Sequence, residues 1–391
     1  MHKYDEYKNS DIEWIGQIPS HWNIIRLKYL CSIETGDKDT INAVDDGVYP
    51  FFVRSQTIEK INSYTKDCEA VLTAGDGVGV GKVFHYINGK FDFHQRVYMF
   101  NKFKHITGKY FFTYLVNNFY KVVLDGNAKN TVDSLRLPLI ANFIFTIPPI
   151  YEQYEIDNYL DQQTAKIDDL IHKQNKLIEL LQEKKKSLIN HVVTKGLNSD
   201  VQMKDSGIEW LGYIPEHWEV KKLKHLVVIS NGQDYKHVED DEGIYPVIGS
   251  GGEFARSKAY LYSGESILLG RKGTIDKPLY FIGKFWTVDT MFYTRILPIS
   301  CGKFVYYQCI NIDFNRYITS TALPSMTQLD LNNISLASPT FKEQQQIAEY
   351  LDQQTAKIDE LTNKAKSMVE LLKEHKQSLI NNVVTGKIKV I

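Results

Sequence analysis

The sequence predicts an α+β protein in which two globular domains are separated by an antiparallel two-helix coiled coil. Internal repeats support this fold class. The segment YLDQQTAKID occurs twice, and 24 of the 36 positions in 159–194 match those in 350–385. A second pair of segments, 10–30 and 206–226, matches at 12 of 21 positions. Repeats on this scale indicate a duplicated scaffold with a pseudo-two-fold arrangement.

The longer repeat predicts two long helices. Apolar residues recur in it at heptad spacing, which is typical of a coiled coil. Pro148, Pro149 and Pro339 stand where a helix can start, and Gly196 and Gly386 stand where it can stop. Val192 and Val383 end the two apolar series. The residues predicted to form the coiled coil or to dock a partner are Leu160, Ile167, Leu170, Leu177, Leu181, Leu188, Leu351, Ile358, Leu361, Met368, Leu372 and Leu379.

The charges along these helices predict their relative direction. Each helix is acidic in its first half and basic in its second half. Parallel pairing would place like charges side by side, whereas antiparallel pairing places acidic residues beside basic ones. Each exposed contact contributes only a few tenths of a kcal/mol, so the charges select the orientation and add little stability.

The stretches between the repeats predict the globular domains. Short apolar and aromatic runs alternate there with Gly, Asn and Asp turns, which favours a strand-rich α+β fold. One helix is expected in each stretch, over 110–124 and 303–318. The predicted organisation is a first globular domain, a first helix, a second globular domain and a second helix, with the boundaries 1–147, 148–198, 199–338 and 339–391.

Composition limits the class of protein. Hydrophobic residues make up 43% and charged residues 24%, which is the balance of a soluble globular protein. The chain has no run of 18 apolar residues, and its first residues lack an apolar export signal, so a cytoplasmic protein is expected. The four cysteines are scattered, which favours reduced thiols without a metal.

Known catalytic motifs are not matched. The glycine-rich run AGDGVGVGKV has Asp76 where a phosphate loop needs glycine and Val83 where it needs Ser or Thr. It is therefore interpreted as a hairpin, with GRKGTIDK as its counterpart in the second domain. TIPPI lacks the asparagine of an amino-methyltransferase motif, and no Pro-Asp dipeptide begins a nuclease site. We expect no catalytic residue and no metal site.

Taken together, the repeated segments resemble the specificity (S) subunit of type I restriction-modification systems. The resemblance rests on IEWIGQIPSHW and IEWLGYIPEHW, on PPIYEQYEIDNYLDQQTAKID and SPTFKEQQQIAEYLDQQTAKID, and on SLINHVVTKG and SLINNVVTGK. It covers the chain from about residue 10 to the C-terminus and lies in the scaffold, whereas the inserts are the part that varies within the family.

The resemblance implies a non-catalytic subunit that recognises double-stranded DNA. Each globular domain would be a target recognition domain that reads one half of a split, asymmetric site. The helices would set the spacer and dock two methyltransferase subunits, which methylate adenine N6, and restriction subunits would cleave unmodified DNA. S-adenosylmethionine, ATP and magnesium are expected in those partners, and no cofactor is expected in this subunit.

Polar residues in the glycine-flanked turns, and in the segments leading into each helix, are the predicted base-reading residues. Arginine suits guanine, and asparagine or glutamine suits adenine. The predicted residues are Lys82, Gln95, Arg96, Asn127, Lys129 and Asn130 in the first domain, and Arg271, Lys272, Thr274, Lys277, Ser320, Thr321, Ser325 and Thr327 in the second.

The net charge of −1 is unusual for a protein that binds DNA by itself. We expect the methyltransferase partners to supply most phosphate contacts, so that these domains mainly read bases. Two other hypotheses remain open. The chain could be an enzyme with its own methyltransferase or nuclease site, which the missing motifs oppose. It could also be a coiled-coil adaptor that binds proteins, which only the neutral charge favours.

Overall fold

The computed structural model describes residues 3–125, 135–317 and 324–390. The chain divides into two compact units. Unit 1 comprises Met1–Gln174 with Ser367–Ile391, and unit 2 comprises Asn175–Lys366. Each unit therefore contains one globular domain, the first part of one long helix and the last part of the other.

The described part of unit 1 contains a six-stranded sheet and two small two-stranded sheets. Its strands are β1 (Tyr7–Asn9), β2 (Gln17–Pro19), β3 (Asn23–Arg26), β4 (Ser32–Thr35), β5 (Tyr49–Phe52), β6 (Glu59–Ile61), β7 (Lys66–Ala74), β8 (Phe84–Phe93), β9 (Val97–Asn101) and β10 (Ile144–Ile147). The large sheet has the order β4-β9-β7-β8-β5-β6. Only its β5–β8 pair is parallel. The small sheets pair β1 with β2 and β3 with β10.

Six α-helices complete the described residues. They are α1 (Gly108–Asp125), α2 (Leu137–Ala141), α3 (Ile150–Lys195), α4 (Gly302–Ile310), α5 (Gln328–Asn333) and α6 (Phe341–Val384). α1 packs its aromatic face on the large sheet of unit 1, where Phe111 lies 5.4 Å from Phe100, ring centre to ring centre. The helix predicted over 110–124 is confirmed.

Unit 2 repeats the same strand arrangement. Its strands are β11 (Met203–Asp205), β12 (Tyr213–Pro215), β13 (Glu219–Lys222), β14 (Val227–Asn231), β15 (Tyr245–Gly249), β16 (Gly252–Ser257), β17 (Tyr262–Gly270), β18 (Leu279–Thr287), β19 (Met291–Ile296) and β20 (Ser335–Ser338). The large sheet has the order β14-β19-β17-β18-β15-β16. Ala74 pairs with Val97 in unit 1, and Gly270 pairs with Met291 in unit 2, so these positions are equivalent.

The helix predicted over 303–318 is wrong for residues 311–317, and residue 318 lies outside the described ranges. α4 ends at Ile310, and a separate 3-10 turn follows at Phe314–Tyr317. Asp313 lies between them, and its side chain accepts a hydrogen bond from Arg316 Nε at 3.4 Å. The N–H groups of Asn311 and Ile312 donate to the carbonyls three residues earlier, at 3.0 and 3.3 Å, so the helix ends here in tighter turns instead of continuing.

The two long helices begin and end where the sequence predicts. α3 starts directly after the Pro148-Pro149 pair, and it stops before Gly196, whose φ is +78°. α6 ends two residues before Gly386, whose φ is +73°. Glycine adopts this left-handed conformation without the steric cost of a Cβ, which is why it ends helices.

The helices run antiparallel, as the charges predict. In unit 1, Lys376 Nζ lies 2.7 Å from Asp168 Oδ1, and in unit 2, Lys185 Nζ lies 2.6 Å from Asp359 Oδ2. From the first pair to the second, the position rises by 17 residues on α3 and falls by 17 on α6. Acidic residues early in one helix therefore meet basic residues late in the other.

The predicted seam is only partly correct. Leu160, Ile167, Leu351, Ile358 and Leu379 are buried, and Leu181, Leu188 and Leu372 are half-buried. In contrast, the side chains of four residues, Leu170, Leu177, Leu361 and Met368, are exposed and do not lie in the seam, and their partner-docking role stays a prediction.

Neighbouring apolar residues explain the error. On α3, Leu170 precedes Ile171 and Leu177 precedes Ile178, and in each pair the isoleucine is the less exposed residue. Counting from Leu160 in alternating steps of four and three residues gives both isoleucines, as coiled-coil packing requires. Heptad spacing alone did not decide which member of each apolar pair faces the seam.

Candidate nucleic-acid interface

In unit 1, three chain segments meet at the edge of the large sheet where β7 ends and β9 begins. The backbone N–H of Gly75 donates to the carbonyl of Arg96 across 2.8 Å. The carbonyl of Gly75 accepts a hydrogen bond from the N–H of Leu135, also across 2.8 Å. The β7–β8 connection, the β8–β9 turn and the chain leading into α2 are therefore held together.

Asp76 links two arginines at this edge. Its Oδ1 accepts a hydrogen bond from Arg54 Nη1 at 2.8 Å, and its Oδ2 accepts one from Arg96 Nη1 at 2.9 Å. Partial burial by itself would raise the pKa of Asp76, but the hydrogen bonds from the two arginines outweigh it and lower that pKa. The carboxylate is therefore charged at neutral pH and fixes both guanidinium groups.

A second polar pair lies beside this group. Gln95 Nε2 donates to Asp39 Oδ2 at 2.9 Å, and the N–H of Gln95 donates to the carbonyl of Lys38 at 2.8 Å. Burial, with Arg54 nearby, lowers the pKa of His94. The edge thus presents amide and guanidinium donors together with carboxylate acceptors, the groups that can recognise base edges.

Unit 2 has the same backbone frame at the equivalent edge. The N–H of Arg271 donates to the carbonyl of Thr290 across 2.8 Å, and the carbonyl of Arg271 accepts from the N–H of Met326 across 3.0 Å. Gly270 requires glycine, since a Cβ there would lie 2.3 Å from the carbonyl oxygen of Thr274. Lys272 pairs with Ser325 in an isolated antiparallel bridge.

The side chains at this second edge are different. The Arg271 guanidinium donates to the carbonyl of Asp289 at 3.3 Å and lies 6.0 Å from the Phe292 ring centre. Lys272, Thr274 and Lys277 are exposed.

Thr327 has a structural role in unit 2. Its hydroxyl accepts a hydrogen bond from the N–H of Asp330 at 3.1 Å, and it donates to Asp330 Oδ2 at 2.6 Å. This is the capping box of α5. A base contact by this hydroxyl would therefore compete with the cap.

Within each unit, most of the predicted base-reading residues in the described ranges lie at the same edge of the large sheet. Gln95 and Arg96 lie in the β8–β9 turn of unit 1, and Lys82 lies exposed in the adjacent β7–β8 connection. In unit 2, the β17–β18 connection and the segment leading into α5 lie side by side. The predicted residues outside the described ranges are Asn127, Lys129, Asn130, Ser320 and Thr321. The base-reading role of every residue in this set remains a prediction.

Two residues of the unit 1 edge were missed from the sequence. Arg54 follows β5 by two residues, and Asp76 follows β7 by two residues. In the sequence, Asp76 only indicates that the glycine-rich run is not a phosphate loop. The signal that could have found both residues is position, because the C-terminal ends of β5 and β7 each lead into a glycine- or serine-containing turn at this edge.

Within the described ranges, no group of three or more His, Cys, Asp or Glu side chains could hold a metal ion. None of the helices in this part of the chain combines the length and the apolarity that crossing a membrane requires.

Comparisons with known proteins agree with this two-unit organisation. The family profile "Type I restriction modification DNA specificity domain" matches residues 19–180 and 215–371, once in each half of the chain. The chain is 22% identical to the type I restriction enzyme EcoDI specificity subunit of Escherichia coli, over 95% of this chain and 90% of that protein. It is 26% identical to the MjaVIII specificity subunit of Methanocaldococcus jannaschii, over 96% of this chain and 94% of that protein.

Two solved structures share the fold. One is a chain from a study of complex assembly and conformational transition of the type I R-M system, with a TM-score of 0.76, 13% identity and coverage of 95% of this chain and 99% of that chain. The other is the HsdS subunit from Thermoanaerobacter tengcongensis, with a TM-score of 0.56, 14% identity and coverage of 97% and 100%. Because the family profile matches most of the sequence, the chain belongs to the type I restriction modification DNA specificity domain family.

Proposed function

We propose that this chain is the DNA-recognition subunit of a type I restriction-modification complex and that each unit reads one half of a split site. One observation carries this proposal. The two sheet edges share a backbone frame but differ in side chains, since Asp76 is replaced by Lys272 at the equivalent position of unit 2. Arg96 is likewise replaced by Thr290. A shared frame with different polar groups suits two readers of different sequences.

The proposed function also requires two copies of one partner. Exposed apolar residues recur on the long helices at an interval of 191 positions, so that Leu170 corresponds to Leu361 and Leu177 to Met368. Unit 1 contains Leu170 and Met368, and unit 2 contains Leu177 and Leu361. Each unit thus offers one of these four residues from each helix, and the exposed pairs Leu180 with Leu371 and Ile150 with Phe341 recur at the same interval. We propose that the Leu170–Met368 pair and the Leu177–Leu361 pair each dock one methyltransferase subunit.

The chemistry would then belong to the partners. Methyl transfer to adenine N6 requires S-adenosylmethionine in the methyltransferase subunits, on a base swung out of the duplex. Cleavage of unmodified DNA would require ATP and magnesium in restriction subunits. In this proposal the present chain is not an enzyme, and it works in the cytoplasm, where the cell's DNA is accessible. The unmatched motifs in its sequence support a non-catalytic role.

Methylation mapping tests the recognition function. The chain is co-expressed with a type I methyltransferase subunit from the same genome, and N6-methyladenine is mapped across the host genome. A split, asymmetric motif methylated once on each strand is the expected result. Replacing residues 31–147 with the insert of another family member should change one half of the motif and leave the other half unchanged.

Two outcomes would contradict the recognition function. One is an unmodified genome although the complex assembles, which would favour the protein-binding adaptor. The other is an insert exchange that alters both halves together, because two independent readers could not produce it.

Stoichiometry tests the docking proposal. Leu170→Asp with Met368→Asp places two charges on the exposed apolar pair of unit 1 and should remove one of two methyltransferase subunits. Leu177→Asp with Leu361→Asp should do the same through unit 2, and the four changes together should remove both. Leu137→Asp, at an exposed leucine of α2, is the matched control. Native mass spectrometry measures the result, and a retained two-to-one complex in the fourfold variant would refute this docking site.

A further inference from the structure

The group formed by Arg54, Asp76 and Arg96 is held rigidly by the surrounding backbone. A Cβ added at Gly79 would lie 2.7 Å from the carbonyl oxygen of Arg54, and one at Gly75 would lie 2.9 Å from the carbonyl oxygen of Arg96. The glycines of the β7–β8 connection therefore pack directly on the backbone of both arginines. This packing fixes where the two side chains begin.

The carboxylate of Asp76 then holds the two guanidinium groups, at the far ends of these side chains, in position. Each of its oxygens accepts one Nη1 hydrogen bond, at 2.8 Å from Arg54 and 2.9 Å from Arg96. The carboxylate is mostly covered, whereas the Arg54 and Arg96 side chains are 40% and 58% exposed. A guanidinium has five N–H donors, so each of these partly exposed arginines keeps donors that Asp76 does not use.

This arrangement has the properties of a preorganised base reader. The group carries two positive charges and one negative charge, which suits an electronegative target. A bidentate contact from arginine to O6 and N7 of guanine is the commonest specific contact in the major groove. Holding each guanidinium in place beforehand reduces the conformational entropy lost when the contact forms.

The comparison between units argues against a general phosphate contact. The positions equivalent to Arg54, Asp76 and Arg96 in unit 2 are occupied by Ser250, Lys272 and Thr290. Phosphates are the same in both halves of a DNA site, so a backbone contact would suit both frames equally. Both edges have a net charge of +1 at these three positions, because Lys272 is exposed in unit 2, so they differ in the geometry of their donors and not in charge. A donor geometry present in one frame alone indicates a feature of one half-site.

We propose that Arg54 and Arg96, oriented by Asp76, contact guanine bases in the half-site read by unit 1. This inference rests on the proposed function and specifies its target. It predicts at least one G·C pair in the half of the methylation motif that changes when residues 31–147 are exchanged. Asp76 acts as a positioning residue, since its carboxylate oxygens are used by the two arginines.

The test compares methylation of a library of DNA sites by complexes that carry Arg54→Gln, Arg96→Gln or Asp76→Asn. Each arginine variant should lose about 5- to 150-fold of the preference for a G·C pair at one position. Asp76→Asn should relax the same positions, and Asp76→Glu should restore part of the preference. The other half-site should stay unchanged in all variants, which also shows that the complexes are folded and assembled.

Charge-conserving variants separate a base contact from a phosphate contact. Arg54→Lys and Arg96→Lys keep the positive charge but lose the bidentate geometry, so they should also relax the guanine positions. Arg26→Gln, at an exposed arginine of β3, is the control and should leave the motif unchanged.

Three results would overturn the inference. The first is full activity of the lysine variants, which would indicate phosphate contacts. The second is an unchanged motif in the glutamine variants. The third is a wild-type motif that is split as proposed but lacks a G·C pair in the unit 1 half, which would leave the proposed function intact.

Discussion

The indole Nε1 of Trp22 donates a hydrogen bond to Oε2 of Glu152 across 3.1 Å. Glu152 lies in the first turn of α3, is almost fully buried and also accepts a hydrogen bond from the Tyr4 hydroxyl. His21 Nε2 lies 2.9 Å from Oε2 of Glu152, the oxygen that Trp22 also contacts. The end of α6 is close by, since a Cβ at Gly386 would lie 3.1 Å from the Trp22 ring. Three repeated segments therefore meet within unit 1.

Unit 2 contains the same junction. Trp218 Nε1 donates to Glu343 Oε1 at 2.9 Å, and a Cβ at Gly196 would lie 3.1 Å from the Trp218 ring. Each junction needs one tryptophan segment, the start of one long helix and the end of the other. This requirement explains why the scaffold sequences are repeated so closely while the intervening domains are not.

Removing the carboxylate of Glu152 should destabilise unit 1 more than removing the equivalent carboxylate of Glu343 destabilises unit 2. Glu152→Ala leaves the Trp22 indole and the Tyr4 hydroxyl without their acceptor, and an unsatisfied buried donor costs about 1–3 kcal/mol. The Glu343 side chain is 25% exposed, compared with 2% for Glu152, so water can replace part of its role. Glu343→Ala should therefore lower the free energy of unfolding by less than Glu152→Ala.

Urea unfolding followed by hydrogen exchange of each unit measures this difference. Glu155→Ala, at an exposed residue one turn further along α3, is the matched control and should change stability little. Equal costs for Glu152→Ala and Glu343→Ala would contradict the importance of burial at the first junction.

Stability should also depend on pH through Asp157. This residue of α3 is buried, and its Oδ1 has no hydrogen-bond partner within the described residues. Burial, helped by the nearby charge of Asp161, raises the pKa of Asp157 to about 7. The folded state therefore holds a proton that the unfolded state releases near pH 4, and stability should fall as pH rises from about 4 to 7.

Asp157→Asn should abolish this dependence. The variant should be more stable than the wild type by a few kcal/mol at pH 8, because it removes a buried charge, and the difference should shrink towards pH 5. Urea unfolding at pH 5, 6, 7 and 8 gives the comparison. Asp45→Asn, at an exposed aspartate, serves as the control. A stabilisation that is the same at every pH would show that Asp157 does not titrate in this range.

The scaffold could be predicted from the sequence because it is repeated and because its signals are local. Proline and glycine affect the backbone within a few residues of their own positions, so they mark the ends of the long helices. The change from acidic to basic residues along each helix is also visible directly in the sequence. The seam was harder to predict. Leu170 and Ile171 are both apolar neighbours, and only the packing of the other helix determines which of them is covered.

The candidate site was predicted less completely because it depends on strand order. Arg54, Asp76 and Arg96 are separated by about 20 residues each along the chain, and they meet because β9, β7, β8 and β5 lie in that order in one sheet. Turn composition identified Arg96 but not Arg54, which stands in a less distinctive segment. A parallel pair such as β5–β8 leaves no short-range signal in a sequence.

The isolated chain should bind DNA weakly. It has 46 Lys and Arg against 47 Asp and Glu, so it can neutralise few phosphates by itself. The complex with methyltransferase subunits should bind its site far more tightly and with a steeper dependence on salt. Fluorescence anisotropy with a duplex that contains the mapped motif, between about 50 and 200 mM salt, measures both. Tight binding by the isolated chain that resists salt would contradict the proposal that partners supply the phosphate contacts.

The ion pairs between the long helices should determine the relative direction of the two helices more than they contribute to the free energy of unfolding. Lys376–Asp168 and Lys185–Asp359 occupy equivalent positions, and the lysines are about one-third exposed and the aspartates about half exposed. Pairs this accessible contribute about 0.2–1 kcal/mol each. Lys376→Glu should therefore cost about 1 kcal/mol or less, and adding Asp168→Lys should restore most of that loss. The same pair of changes at Lys185 and Asp359 should give the same loss and the same recovery, because the two ion pairs are equivalent.

Salt identifies the origin of this effect. At about 1 M salt the Debye length falls to about 3 Å, so the cost of the single Lys376→Glu reversal should nearly vanish if it is electrostatic. Urea unfolding at low and high salt provides the measurement. A cost of several kcal/mol that persists at high salt would mean that the lysine stem contributes mainly through packing in the seam. In that case the heptad residues alone would have to account for the antiparallel pairing.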